Sequence, residues 1–165
     1  MKKWNLKKIL KEIAIGAVLV FILSNIISYL KKPDLDSNQL PSIEVTLLDG
    51  SAYKHEGNKP LVIHFWASWC KVCKLEAQNI ESLSKDYDVL TIAVKSGSDE
   101  EVQAYMQERN LSFKVLNDTE GVWTNKFKVE MFPTTFIYDG KGELRFTEVG
   151  YSTTAGLMAR LAVLK

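Results

Sequence analysis

Residues 65–74 read FWASWCKVCK. Both cysteines of the 165-residue chain, Cys70 and Cys73, fall within these ten positions, behind Trp66 and Trp69. A staple, a metal clip and a reactive pair all fit two cysteines at this spacing, and they predict different surroundings. As a staple, a Cys70–Cys73 disulfide closes a four-residue loop. In the chain-entropy account so short a loop stabilises by roughly 2 kcal/mol, against ~4.7 for a 100-residue loop. The chain beyond its first forty residues is long enough to bury its own core without that help. As a clip for zinc, the pair needs two more ligands. There is no second cysteine pair, and the only histidines are His55 and His64. No metal site is therefore expected for zinc, whereas a two-thiolate Cu(I) site stays open as the non-enzymatic alternative.

The flanks favour the reactive pair. LVIHFWA, Leu61 to Ala67, is a nearly unbroken apolar run, the pattern of a strand buried on both faces. Val72 to Tyr87 has helical periodicity. Cys70 thus stands where a strand hands over to a helix. Free backbone N–H groups and the helix dipole stabilise a thiolate there. In a Cys-x-x-Cys pair this lowers the thiol pKa from ~8.5 into the range of ~3.5–7.5. The expectation is that Cys70 attacks and Cys73, one turn further in, resolves the mixed disulfide. Lys71 and Val72 lie between them and tune the reduction potential, with Lys71 favouring the thiolate form.

Glu76 follows from spacing alone. Val72, Ile80, Leu83 and Tyr87 form an apolar stripe on the helix. At ~100° per residue Glu76 falls inside that stripe, with Cys73 about 60° to its side. An acid there is expected to be partly buried, with a raised pKa. The competing reading is a solvated first-turn glutamate complementing the helix dipole.

Outward from this unit the chain alternates strand and helix patterns. IEVTLL precedes an Asp49-Gly50 turn, and Val89–Val94 is a second buried strand. A helix over Asp99–Arg109, a strand in FKVLND and a short helix over Glu120–Phe127 follow. TTFIYD and ELRFTEVG form a hairpin through Asp139-Gly140, and Ser152-Thr153-Thr154 caps a last helix. The order implies an α/β domain with a mixed central sheet flanked by helices.

The N-terminus is a different kind of sequence. Lys2, Lys3, Lys7, Lys8 and Lys11 make residues 1–12 a basic segment. Residues 13–30 carry no charge, and as a helix they reach ~27 Å, close to the ~30 Å hydrocarbon core. Trp4 and Tyr29 flank the run as interfacial aromatics do. The lysine bias puts residues 1–12 in the cytoplasm, makes 13–30 a transmembrane anchor and sends the rest outside. A cleaved signal peptide is the rival reading. Its apolar region is typically ~7–15 residues and ends in small residues. This run is longer and exits through Ile26-Ile27-Ser28-Tyr29-Leu30. Residues 31–41 read as a linker that keeps domain 42–165 near the membrane. The formal net charge of +1 gives no reason to expect a nucleic-acid partner.

VIHFWASWCKVCK resembles the active-site strand and helix of the thioredoxin superfamily, and MFPTTFIYDGKGEL resembles its cis-proline loop and hairpin. The stretch before them, EVTLLDGSAYKHEGNKPLVI, is similar to the membrane-anchored group around TlpA, ResA and ScsD-like proteins. The resemblance covers the chain from about Ile43 onward. It implies a thioredoxin-like fold and thiol–disulfide exchange on protein substrates, with no bound cofactor. It further implies a membrane electron-transfer partner and a domain facing the periplasm or its equivalent, with reduction favoured over oxidation. Pro133 would be the cis proline, Phe132 would offer backbone hydrogen bonds to substrate, and Trp69 would shield the pair. Cys-x-x-Glu is also how the ResA-like relatives look, which places Glu76 in the site. Cytosolic thioredoxins carry a buried aspartate where this chain has His64, a core histidine or a proton relay for Cys73. Gln78 replaces a proline that often kinks the helix.

Overall fold

The computed structural model describes residues 6–164. Lys2, Lys3 and Trp4 of the expected membrane flank lie outside the described residues. The first element, α1, runs over Leu6–Leu30 and so begins well before the uncharged stretch. Lys8–Leu30 is long and apolar enough to cross a membrane: an 18-residue stretch within it has a mean hydropathy of 2.3, and none of that stretch is buried in the molecule.

Two short strands come next, β1 (Glu44–Thr46) and β2 (Ala52–Lys54), paired antiparallel with Val45 opposite Tyr53. The Asp49-Gly50 signal therefore closes a hairpin rather than ending a lone strand. Gly50 takes φ +82°, and Ser51 N–H donates to Asp49 Oδ1 at 2.9 Å. Glycine adopts that φ without a Cβ penalty.

The main sheet contains β3 (Leu61–Trp66), β4 (Asp88–Val94), β5 (Lys114–Asp118), β6 (Thr134–Tyr138) and β7 (Leu144–Val149), in the order β5-β4-β3-β6-β7. The first three strands are parallel, β6 runs antiparallel to β3, and β7 runs antiparallel to β6. β3 is central, and every residue of it is buried, as its unbroken apolar run demands. One face is covered by α2 (Lys71–Ser84), α3 (Asp99–Glu108) and α5 (Thr154–Ala162), through Ile80, Leu83, Val102 and Leu157 among others. The other face is covered by the β1–β2 hairpin and by the chain leaving α4 (Val122–Lys126), where Phe127 packs on Phe65 and Phe136. This is the thioredoxin-like α/β fold. The C-terminal end of β3, the N-terminal end of β6 and the C-terminal end of β7 share one edge of the sheet. Cys70 follows the first and Pro133 precedes the second, so topology alone brings the two motifs together.

Two expectations need correction. Val72 does not lie on the buried stripe of α2 and is 41% exposed. The buried face is Cys73, Glu76, Ala77, Ile80, Glu81 and Leu83. β3 ends at Trp66, so the outer side of the first helical turn has no sheet beneath it. Residues 31–41 are also less free than a linker reading implies. Lys128 pairs with Asp36 at 2.6 Å, Leu40 N–H donates to Gly142 O, and Leu144 N–H donates to Asn38 O, both at 2.7 Å. Leu35 and Leu40 pack on the second core. At the other end of this segment, Val149 N–H donates to Ser28 Oγ of α1 at 3.2 Å.

Candidate active site

Cys70 is the N-cap of α2, with extended backbone at φ −79° and ψ 115°. Its sulfur takes the place that a serine or aspartate oxygen usually fills, accepting from the Cys73 backbone N–H at 3.2 Å. The cap therefore directs a donor and the positive end of the helix at Sγ, the arrangement that favours a thiolate over a thiol. The two cysteines form a disulfide, with Cα atoms 5.3 Å apart. Cys70 keeps 9% of its surface and Cys73 only 2%, so an incoming sulfur reaches Cys70 first.

The Phe132–Pro133 peptide bond is cis. The Phe132 carbonyl oxygen lies 3.8 Å from Cys70 Sγ, and the Phe132 ring meets Trp69 edge-on at 5.8 Å. Trp69 is 59% exposed and donates from Nε1 to Lys95 O at 3.1 Å. Trp66 is a core residue instead, stacked on Tyr105 and donating to Thr91 Oγ1 at 3.1 Å. Gln78, at the position of the missing proline, donates to Arg109 O at 2.9 Å and so ties α2 to the end of α3.

Glu76 is fully buried one turn after Cys73. Residues three apart on a helix are neighbours on its surface. Burial pushes its carboxyl up to about 8, against the opposing hydrogen bond from Ser152 N–H to Oε1 at 3.1 Å. Oε2 has no hydrogen-bond partner among the described residues. A carboxyl in this state takes up or releases a proton near neutral pH.

His64 lies in the middle of β3, opposite Thr135 of β6 and Thr91 of β4. Its Nδ1 is 2.9 Å from Thr135 Oγ1. Burial drives its pKa down to about 3, so the ring is neutral at working pH. Thr135 is two residues beyond Pro133, so this contact fixes the strand that carries the cis-proline loop.

Sequence reading missed Asn79 and the connection between β7 and α5. Asn79 Nδ2 donates to Tyr151 Oη at 3.0 Å and to Ser152 O at 2.9 Å. The pairing joins residues more than seventy positions apart, and an asparagine on a helix carries no signal of it.

A redox pair at the head of a helix beside a cis-proline loop, on this sheet, defines a thioredoxin-like protein. Comparison with known proteins agrees. Residues 34–147 match the AhpC/TSA family. A thioredoxin-like protein of Haemophilus influenzae is 28% identical over 95% of this chain and 95% of its own length. Thioredoxin-like protein YneN of Bacillus subtilis is 30% identical, over 76% of this chain and 78% of its own. Among solved structures, a secreted disulfide oxidoreductase of Mycobacterium tuberculosis superposes with a TM-score of 0.65 at 26% identity, covering 74% of this chain and 96% of that one. The chain belongs to the AhpC/TSA family, and within it is a thiol–disulfide oxidoreductase with Cys70 and Cys73 as its redox pair.

Proposed function

We propose that this oxidoreductase is tethered to the membrane by α1, faces the extracytoplasmic side, and reduces disulfides in protein substrates. The observation that carries the chemistry is the cap: Cys70 Sγ accepts the Cys73 N–H at the start of α2. In the reduced enzyme the Cys70 thiolate attacks one sulfur of a substrate disulfide. A Cys70–substrate bond forms and the other substrate sulfur leaves as a thiolate. Cys73 then gives up its proton and attacks Cys70 Sγ. The Cys70–Cys73 bond forms, and the second substrate sulfur leaves. The substrate gains two electrons, and the pair loses them to become the disulfide present in this structure. An extended substrate segment lies along Phe132 and Pro133, with Trp69 flanking the entering sulfur.

The ionised form of Glu76 takes the proton from Cys73 and becomes the neutral carboxyl that its burial favours. Its neighbouring position, its burial and its raised pKa of about 8 support that role. His64 suits it less well, because an imidazole whose pKa is about 3 does not hold a proton at working pH. Its contact with Thr135 makes it a support for the proline loop.

Reduction rather than oxidation is the direction favoured by the resemblance to the ResA-like group. The capped Cys70 thiolate by itself stabilises the reduced pair, and the potential of the pair sets the direction. The electrons consumed come from a membrane dithiol partner. A redox-buffer titration of the full chain in detergent is expected to place the pair nearer the thioredoxin value of about −270 mV than the DsbA value of about −120 mV. A value at the latter end would overturn the direction. In intact cells, an impermeant maleimide should label the reduced pair from outside; labelling only after lysis would overturn the placement.

A further inference from the structure

The connection from β7 to α5 crosses the active-site edge as a strap. At its near end Gly150 N–H donates to Pro133 O at 2.8 Å. Gly150 takes φ +93°, which turns the chain away from β7 at a residue without a Cβ to oppose it. At its centre Ser152 N–H reaches Glu76 Oε1 at 3.1 Å. At its far end Thr153 caps α5 by accepting from Gly156 N–H at 3.1 Å. One side chain of α2 grips the strap throughout. Asn79 donates to Tyr151 Oη and Ser152 O, and its Oδ1 accepts from Thr154 Oγ1 at 3.2 Å. The amide uses its donor end on Tyr151 and Ser152 and its acceptor end on Thr154, the first residue of α5.

Asn79 follows Glu76 by three positions, so the two side chains are neighbours on one face of α2. The Ser152 N–H commits Oε1 to accepting. The proton of a neutral Glu76 therefore sits on Oε2, the oxygen that has no partner among the described residues. We infer that Asn79 is a positioning residue: by gripping Tyr151, Ser152 and Thr154 it keeps the strap closed over Glu76 and fixes which carboxyl oxygen carries the proton. The same strap touches the proline loop through Gly150, so the buried acid and the substrate-binding loop are held as one unit. For its catalytic meaning the inference rests on Glu76 serving Cys73.

The other titratable and charged groups on the elements around Glu76 are Lys71, Cys73, Lys74 and Glu81 on α2, His64 on β3, Asp88 at the far end of β4, Tyr151 on the strap, Arg145 on β7, and the Glu148–Arg160 pair between β7 and α5, closed at 2.7 Å. None of them is a cause of the raised pKa, which comes from burial and is opposed by the Ser152 bond. Opening the strap relieves the larger cause by admitting water, so the expected change is downward.

The test is a carbon-13 titration of the glutamate carboxyl resonances of the oxidised full chain in detergent, with the Glu76 signal assigned by its loss in Glu76→Gln. Asn79→Leu is expected to lower the Glu76 midpoint by at least about one pH unit, towards the ordinary carboxylate range. A midpoint that stays put or rises overturns the inference. If Asn79→Leu loses the native near-ultraviolet dichroism, the Tyr151→Phe, Thr154→Val double variant decides instead. It removes two of the three contacts and should move the midpoint the same way by less; no downward movement overturns the inference. The titration reads the carboxyl itself. If Glu76→Gln leaves exchange kinetics unchanged, the catalytic role of Glu76 fails while the positioning by Asn79 is still decided on the resonance.

Discussion

Replacing Cys70 by alanine is expected to abolish disulfide exchange, by at least about a thousandfold in rate, while replacing Cys73 by alanine leaves an enzyme that captures substrate and cannot release it. The difference follows from position. Cys70 is the more exposed sulfur, and it alone receives the backbone N–H at the start of α2. Cys73 is buried to 2% exposure, and the sulfur it reaches is Cys70 Sγ, to which it is bonded in this structure. Its removal takes away the second step and not the first. Cys73→Ala also keeps the backbone N–H that caps Cys70. On a non-reducing gel, Cys73→Ala incubated with a disulfide-bonded protein should accumulate a stoichiometric adduct, and Cys70→Ala should form none. If Cys70→Ala formed the adduct instead, the roles of the two sulfurs would be reversed.

The second large effect is on stability, and it depends on pH. Glu76 holds its proton more tightly in the folded chain, at about 8, than at its ordinary value of 4.5. The folded state therefore binds more protons across that interval, and its stability falls as pH rises through it. At ~1.4 kcal/mol per pH unit the penalty above about pH 8 is on the order of 5 kcal/mol, an upper bound because a strained site admits water. Glutamine keeps an acceptor for Ser152 and cannot ionise. Glu76→Gln is thus expected to exceed the parent in denaturant stability by several kcal/mol at pH 9, with the gain vanishing towards pH 5. A gain independent of pH would mean that the carboxylate is solvated in the folded state. His64 acts with the opposite sign. Its folded value of about 3 lies below the ordinary 6.5, so its neutral burial costs stability as pH falls below 6.5. Between about 4.5 and 6.5 the two slopes offset each other. The parent should be most stable there and weaken on both sides.

Much of this was legible in the sequence because it is local. Leu61–Ala67 declares a strand buried on both faces, and the next periodic run declares a helix, so Cys70 had to stand at their junction. Glu76 was legible for the same reason, since an angle on a helix is fixed by spacing alone. Val72 shows the limit of that argument. The helical angle says which residues share a face, and only the end of β3 says where that face runs out of sheet. Asn79 and the 150–154 strap were not legible, because their contacts join distant parts of the chain through side chains common on any helix or loop. The docking of residues 35–40 was hidden likewise. A polar stretch bounded by prolines reads as a spacer until Gly142, Leu144 and Lys128 supply its partners.

The most direct test is the pH dependence of iodoacetamide alkylation of Cys70, measured in the full-length Cys73→Ala variant, where it is the only thiol. The account predicts a midpoint at least about one unit below the ~8.5 of a free cysteine, returning to that value when the chain is denatured. A folded protein whose Cys70 titrates and reacts like the denatured chain would contradict it, because the head of α2 would then be conferring nothing on the sulfur it caps.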